Sequence, residues 1–285
     1  MLGDCHIHMA LDAGPWRLAV ARHERGADEA FVRKTLEAYK QRGVTFLRDG
    51  GDRWGAGLLA AKLAPEYGIV YLAPAYPLYK NGHYGSFIGR GFGNFEEYRA
   101  LVKATRVLGG SFVKIMISGL MDFNRYGRLT SQPLEAEEIK DLIAFAHDEG
   151  FAVMAHANGD ETVAAAIEAG VDSVEHGAYL REETLCRLAE SRAVWVPTLS
   201  TIGNLLGDGR YPDEVVRPLF ETQTELVRFA AAKGAKIAAG SDAGAYRVPH
   251  GRGAADERAY LEKAIGDGAD KILDEGLAEI RKRFT

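Results

Sequence analysis

Cysteine is scarce: Cys5 and Cys186 are the only two in 285 residues. They form no Cys-x-x-Cys pair and suggest no disulfide framework, which fits a reducing compartment. No apolar run approaches the roughly 18 residues that a membrane span needs. The stretch Met1 to Gly14 has neither a basic start nor a long apolar core, so no signal peptide is expected and the cytoplasm is the expected location. No block of five or more like charges marks a tail, and the formal net charge is −5. Neither nucleic acid nor a membrane is therefore an expected partner. No Gly-x-Gly-x-x-Gly follows the first β-like run, which argues against a doubly wound dinucleotide-binding sheet.

What is present is alternation. Short Val/Ile/Ala-rich runs alternate with longer amphipathic ones along the chain. Strands are expected near Leu2–Met9, Val44–Leu47, Ile69–Ala73, Phe112–Ile117 and over 151–155, 171–175, 193–197 and 235–239. Helices are expected over 30–42, 95–108, 160–169, 181–191, 214–233, 254–265 and 268–283, and from Leu58 to Leu63. Leu134–Glu149 is another, with Pro133 at its start, acids in its first turn and Gly150 as its stop. Two long segments, 74–94 and 119–133, read as loops. The strands lack polar alternation, as strands buried on both faces do. Eight such units predict one α/β domain over 1–285, a (β/α)8 TIM barrel.

The residues with chemistry fall where these strands end. His6 and His8 close the first strand, Lys114 lies on the fourth, and His156, His176 and Asp242 end the fifth, sixth and eighth. In a parallel barrel these positions share one mouth, where sites on this fold are built. His6 and His8, two residues apart on a strand, share a face. Imidazole nitrogens and a carboxylate suit zinc and related divalent ions. A lone barrel histidine is more often a hydrogen-bonded core residue, and Asp242 alone would serve as a helix cap. Lys114 inside Phe-Val-Lys-Ile-Met-Ile is less easily dismissed, because lysine is almost never fully buried unpaired.

Taken in order, these strings resemble the amidohydrolase superfamily over nearly the whole chain. Gly3-Asp4-Cys5-His6-Ile7-His8 is similar to the family's strand-1 Asp-x-His-x-His, and Gly43-Val44-Thr45-Phe46-Leu47-Arg48-Asp49 to its strand-2 string. Phe112-Val113-Lys114-Ile115-Met116 is similar to the strand that bears a carboxylated lysine. His156-Ala157, Glu175-His176-Gly177 and Gly240-Ser241-Asp242-Ala243-Gly244 resemble the later metal strings, and His250-Gly251 also has a counterpart. The branch it resembles holds imidazolonepropionase-like and Xaa-Pro dipeptidase-like members. The resemblance implies two divalent ions, Zn2+ first and Mn2+, Fe2+ or Co2+ as alternatives, with a CO2-derived carbamate on Lys114 bridging them. It puts His6, His8 and Asp242 at one ion and His156 and His176 at the other. It also implies a bridging hydroxide as nucleophile and Asp242 as proton acceptor. The small β-sandwich of many relatives is not expected, since His6 arrives almost at once. Asp4 is expected to orient a ligand histidine.

Specificity is expected from the two long loops. His83, in Asn81-Gly82-His83-Tyr84-Gly85, resembles a glycine-flanked histidine that contacts the substrate carbonyl in relatives, which would make it catalytic as well as substrate-binding. Tyr84, Arg90, Arg125 and Tyr126 are further candidate substrate contacts, and Arg128 a third arginine for a carboxylate. The expected reaction is hydrolysis of a C–N bond in a cyclic amide, N-acyl amino acid or dipeptide. Alternatives on the same site are a lactonase or phosphotriesterase, a non-catalytic metal-binding protein, and a lyase or isomerase. The expected partners are a small-molecule substrate and further copies of the chain in a homo-oligomer.

Overall fold

The computed structural model describes residues 2–285. β1 (Leu2–Ile7) is buried except at its first residue, and it pairs in parallel with β2 (Val44–Asp49). β2 in turn pairs in parallel with β3 (Val70–Leu72). A second set of parallel neighbours runs from β4 (Pro77–Lys80), flanked by β5 (Arg90–Phe92), through β6 (Val113–Met116) and β7 (Val153–Ala157). It continues through β8 (Ser173–His176) and β9 (Val194–Val196) to β10 (Lys236–Ile237).

Two seams close these sets into a barrel. Cys5 N donates to the Ala239 carbonyl at 2.9 Å and Asp242 N to the His6 carbonyl at 2.7 Å, which joins the end of the chain of strands to β1. Ser111 N donates to the Ala73 carbonyl at 2.8 Å across the other seam. β3 and β4 together form one stave, β3 facing β2 and β4 facing β6. The architecture is a (β/α)8 barrel.

The helices of the outer ring follow from caps and apolar stripes. α1 (Trp16–Ala21) is a short helix inside the first βα loop. α2 (Glu29–Lys40) starts where Asp28 accepts from Phe31 N at 3.1 Å, and it buries Val32, Leu36 and Tyr39. α3 (Ala56–Leu63) follows β2. α4 (Phe95–Val107) is capped by Asn94, which accepts from Glu97 N at 2.9 Å. α5 (Ala136–Asp148) buries Ile139, Leu142, Ile143 and Ala146, at about 1.5–3 kcal/mol for each large side chain. α6 (Asp160–Glu168), α7 (Glu182–Glu190), the one-turn α8 (Ser200–Gly203) and α9 (Asp213–Ala232) follow. α10 (Arg252–Ile265) and α11 (Ala269–Phe284) complete the ring.

α11 also closes the barrel at the end where the strands begin. The Phe284 ring lies edge-on to Phe112 at 5.1 Å, among Phe46, Val194 and Ile280. Gly276 makes this approach possible, since a Cβ there would sit 2.0 Å from the Ile237 carbonyl oxygen. Among the described residues no helix is long and apolar enough to cross a membrane.

The structure departs from the sequence reading at the strand ends. The segment 74–94, read as a loop, contains β4 and β5, and β4 lies beside Lys114. Its prolines and glycines hide the two strands, which are only 4 and 3 residues long. The final strand is Lys236–Ile237 rather than 235–239, so Asp242 lies past that strand, next to an isolated parallel bridge between Ile7 and Ala243. α5 begins at Ala136, after Pro133 and Leu134 rather than at them. α1 and α8, too short to show a helical period, were absent from the sequence reading.

Candidate metal centre

The strand ends bring four imidazoles, one amine and one carboxylate together. His6 lies on β1 and His8 just past it, with ring centroids 5.3 Å apart. His176 ends β8, its ring 5.1 Å from His6 and 4.5 Å from His156 of β7. Asp242 Oδ1 lies 3.3 Å from His8 Nε2 and 3.6 Å from His6 Nε2. His6, His8 and Asp242 each present one ligand atom within 4.8 Å of the others. Lys114, 1 % exposed, belongs to the same buried cluster.

Burial decides the charge states. It pulls His8 and His156 down to about 3, and the charge on Lys114 pushes both the same way. His6 and His176 are also lowered well below the usual imidazole range, again chiefly by burial. All four rings are therefore neutral, with lone pairs to give. Burial lowers Lys114 from the usual amine value and raises Asp242 from the usual carboxylate value. His6 Nε2, Lys114 Nζ and Asp242 Oδ1 are buried without a hydrogen-bond partner. Orphaned buried polar atoms are costly. Neutral nitrogens and a carboxylate oxygen aimed at one small space are the donor set of a divalent cation, so the residues fit one.

Several supports escaped the sequence reading. Glu175 Oε2 lies 2.8 Å from His6 Nδ1, and Arg48 Nη2 donates to Glu175 Oε1 at 2.8 Å, with all three side chains buried. His176 Nδ1 lies 2.8 Å from Thr198 Oγ1, while Trp195 Nε1 and Gln223 Nε2 donate to the His176 carbonyl at 3.0 and 2.7 Å. His156 Nε2 lies 3.1 Å from the Gly119 carbonyl oxygen; a carbonyl only accepts, so the proton is on Nε2 and the lone pair on Nδ1. Gly50 lets the chain pass the His8 ring, since a Cβ there would lie 2.3 Å from its Cε1. His176 and Asp242 both have positive φ, 69° and 58°, an uncommon backbone state for such residues that turns their side chains inward. Asp4 does not orient a histidine ring. Its carboxylate accepts from Ser241 N at 2.8 Å and Ser241 Oγ at 2.6 Å, which fixes the turn just before Asp242.

A cavity of about 410 Å3 opens above the cluster, and His8, His176 and Asp242 lie on its floor. Its lining is mainly apolar and aromatic. Trp16 and Tyr84 pack against Phe87 on one side, each with ring centroids 5.6 Å away, and Tyr84 lies 4.9 Å from the His156 ring. Phe123 and Tyr211, 5.3 Å apart, stand on another, with Met121 and Leu205. Besides His8 and His176, the charged-type side chains on the lining are basic Arg210 and acidic Asp242. The Arg210 guanidinium lies 4.0 Å from the Tyr246 ring centroid.

Of the expected substrate contacts, Tyr84 lies on this cavity and the others do not. His83 turns outward, with Nδ1 2.9 Å from the Gln132 carbonyl oxygen, and ties one long loop to the other. Arg90 is exposed on β5, over the Tyr76 ring. Arg125 is 78 % exposed beside Asp122, and Arg128 is exposed as well. Tyr126 reaches Thr222 Oγ1 at 2.9 Å on the outer surface. Arg90, Arg125, Tyr126 and Arg128 are thus presented to solvent. Arg210, in the βα loop after β9, occupies the place that the sequence reading gave to the other arginines.

The model of the amidohydrolase family matches residues 2–269. An uncharacterized protein of Mycobacterium tuberculosis is 34% identical over 157 residues, covering 53% of this chain and 42% of its own length. Ochratoxinase of Aspergillus niger is 26% identical over 277 residues, covering 85% of this chain and 57% of its own length. The chain thus spans about half the length of the curated relatives it matches. A Xaa-Pro dipeptidase solved with methionine in its active site superposes with a TM-score of 0.77 at 23% identity, over 98% of this chain and 75% of that one. The solved ochratoxinase gives a TM-score of 0.77 at 22% identity, over 99% of this chain and 71% of that one. At such identities the two structures bear on the fold.

Proposed function

The chain belongs to the amidohydrolase family, and from that premise we propose that it hydrolyses a C–N bond in a small amide with an apolar or aromatic body and a carboxylate. The observation that carries the reading is the floor of the cavity. There Asp242, with an unpartnered buried oxygen, stands beside neutral imidazoles under an aromatic vault. His6, His8 and Asp242 would hold one divalent cation, zinc first among candidates, and His156 and His176 a second, with a carbamate on Lys114 between them. When bound, such cations supply Lewis acidity and a water ionised near neutral pH.

The chain's own residues do the rest. Asp242, its proton affinity raised by burial, accepts the proton of the attacking water and returns it to the leaving nitrogen. The aromatic lining excludes water and takes up the apolar body of the substrate. Arg210 offers a forked partner to the carboxylate.

Chelated protein reloaded with zinc, manganese or cobalt tests the reading against a panel. N-acyl amino acids with aromatic side chains, dipeptides, cyclic amides, lactones and phosphotriesters belong in it. The expected result is the highest kcat/KM on an N-acyl aromatic amino acid or a dipeptide. Preference for a lactone or phosphotriester would overturn it.

A further inference from the structure

Beneath the ring of imidazoles the barrel holds a polar group that neither the cavity nor the ligand set uses. Arg48 on β2 is fully buried and reaches across the interior to β8. Its Nε donates to the Cys5 carbonyl at 2.7 Å, its Nη1 to Ser173 Oγ at 2.8 Å and its Nη2 to Glu175 Oε1 at 2.8 Å. Ser173 and Glu175, two apart on β8, share the inner face, and Ser173 Oγ donates to the same Glu175 oxygen at 2.5 Å. Phe284 covers the guanidinium from below, with its ring centroid 4.5 Å from the Arg48 Cζ. One oxygen of Glu175 is thus held by two donors. The other, Oε2, lies 2.8 Å from His6 Nδ1, a close approach in which the two atoms are not aligned as a hydrogen bond and neither has another partner.

A buried ion pair is a poor source of stability, because well-packed apolar side chains of similar volume often serve the fold as well or better. The placement of this one suggests a different use. We propose that Arg48 and Glu175 are positioning residues that fix the tautomer and ring orientation of His6. This rests on the reading of His6 as a cation ligand. A carboxylate only accepts, and Glu175 Oε2 is the polar atom 2.8 Å from Nδ1, so a small turn of the ring lets it take a hydrogen bond from an Nδ1–H. That leaves the lone pair on Nε2, the atom 3.6 Å from Asp242 Oδ1. A flip of the ring would put carbon where the ligand nitrogen stands. Arg48 holds Glu175 against rotation, and Phe284 keeps water from competing for it. His176 and His156 receive comparable support from Thr198 and the Gly119 carbonyl, so the Arg48–Glu175 fork supplies for His6 what single groups supply for them.

The test has two readouts besides turnover. In metal-free wild-type protein with 15N-labelled histidine, the ring shifts of His6, assigned by its loss in His6→Ala, should report a single Nδ1–H tautomer. An Nε2–H tautomer, or a mixture, overturns the proposal without any change to the fork. The second readout is zinc affinity measured by competition with a chromophoric chelator. Arg48→Met/Glu175→Met removes both charges together while keeping side-chain bulk. It should melt within a few degrees of wild type without metal, and bind zinc roughly 10–100-fold more weakly. Glu175→Gln, whose amide oxygen still accepts from Nδ1–H, should fall between the two. Wild-type zinc affinity in the folded double variant overturns the proposal. His6→Ala separates the two levels of inference. If it binds zinc as wild type does, the reading of His6 as a ligand fails; if it loses zinc while the double variant does not, the positioning role alone fails.

Discussion

Asp242 Oδ1 lies 3.3 Å from His8 Nε2 at the floor of the cavity, and it is buried without a hydrogen-bond donor of its own. In the proposed reaction this oxygen would serve both as a cation ligand and as a proton acceptor, and substitution separates the two. Asp242→Asn keeps the shape and a coordinating oxygen but loses the basic site. The fold should survive with near-normal melting, and kcat should fall by about 10²–10⁴-fold. A variant with wild-type kcat would move the proton acceptor elsewhere.

Lys114 carries the second prediction. Burial lowers its proton affinity, which raises the fraction of free amine able to take up CO2. Reloading of chelated wild-type protein with zinc should therefore quicken when bicarbonate is added. Lys114→Met should lose most of its bound zinc by elemental analysis and show no response to bicarbonate. Full zinc occupancy in that variant would remove the lysine from the centre.

Arg210 is the third. Like Arg90, Arg125 and Arg128 it is exposed, but it alone of the four lines the cavity. A charge-assisted hydrogen bond to a carboxylate is typically worth about 1.5–3 kcal/mol. Arg210→Met should thus lower kcat/KM about tenfold or more for a carboxylate substrate and leave its neutral amide unchanged. The same change at Arg90, Arg125 or Arg128 should leave both unchanged. A loss equal for the charged and neutral substrates would mean that Arg210 acts only through packing on Tyr246.

The barrel and its ligand-type residues were legible in the sequence because both depend on short-range pattern. Apolar strands such as Val113–Met116 announce themselves by composition, and His6, His8, His156 and His176 lie at or next to strand ends. The partnership of Arg48 with Glu175 was not legible, for it joins residues 127 apart in the chain. The strings around both residues were noticed as resemblances, yet nothing in either string says that the side chains meet inside the barrel. The loops were the least legible part. Whether Arg125 or Arg210 faces the cavity depends on backbone turns that carry no period, so charge and aromatic content alone pointed to arginines that lie off the cavity. A cue did exist in Arg210-Tyr211, which pairs a cation and a ring in the βα loop after β9 just as the favoured loops do.

His250 gives a pH prediction away from the proposed cation ligands. Its Nε2 lies 2.9 Å from the Leu11 carbonyl oxygen and its Nδ1 3.1 Å from Tyr39 Oη, so it ties the first and last βα loops to α2. Burial lowers it from 6.5 to about 4. The folded protein keeps it neutral, while the unfolded chain takes up a proton once the pH drops below about 6.5. Its contribution to stability is therefore complete above that pH and is lost as pH falls through the window down to about 4. His250→Gln lacks this term. The gap in Tm between wild type and variant should be widest near pH 7 and should narrow toward pH 4. A gap that stays constant or widens on acidification would mean that His250 is charged in the fold.

The central claim is that a bound divalent cation at this cluster drives amide hydrolysis. The most direct test is a zinc titration of chelated protein, following turnover of an N-acyl aromatic amino acid against equivalents added. The account predicts negligible activity without metal, a rise that saturates near two equivalents per chain, and no rise for His6→Ala/His8→Ala. Full activity in the chelated protein, or a rise that survives the double substitution, would contradict it.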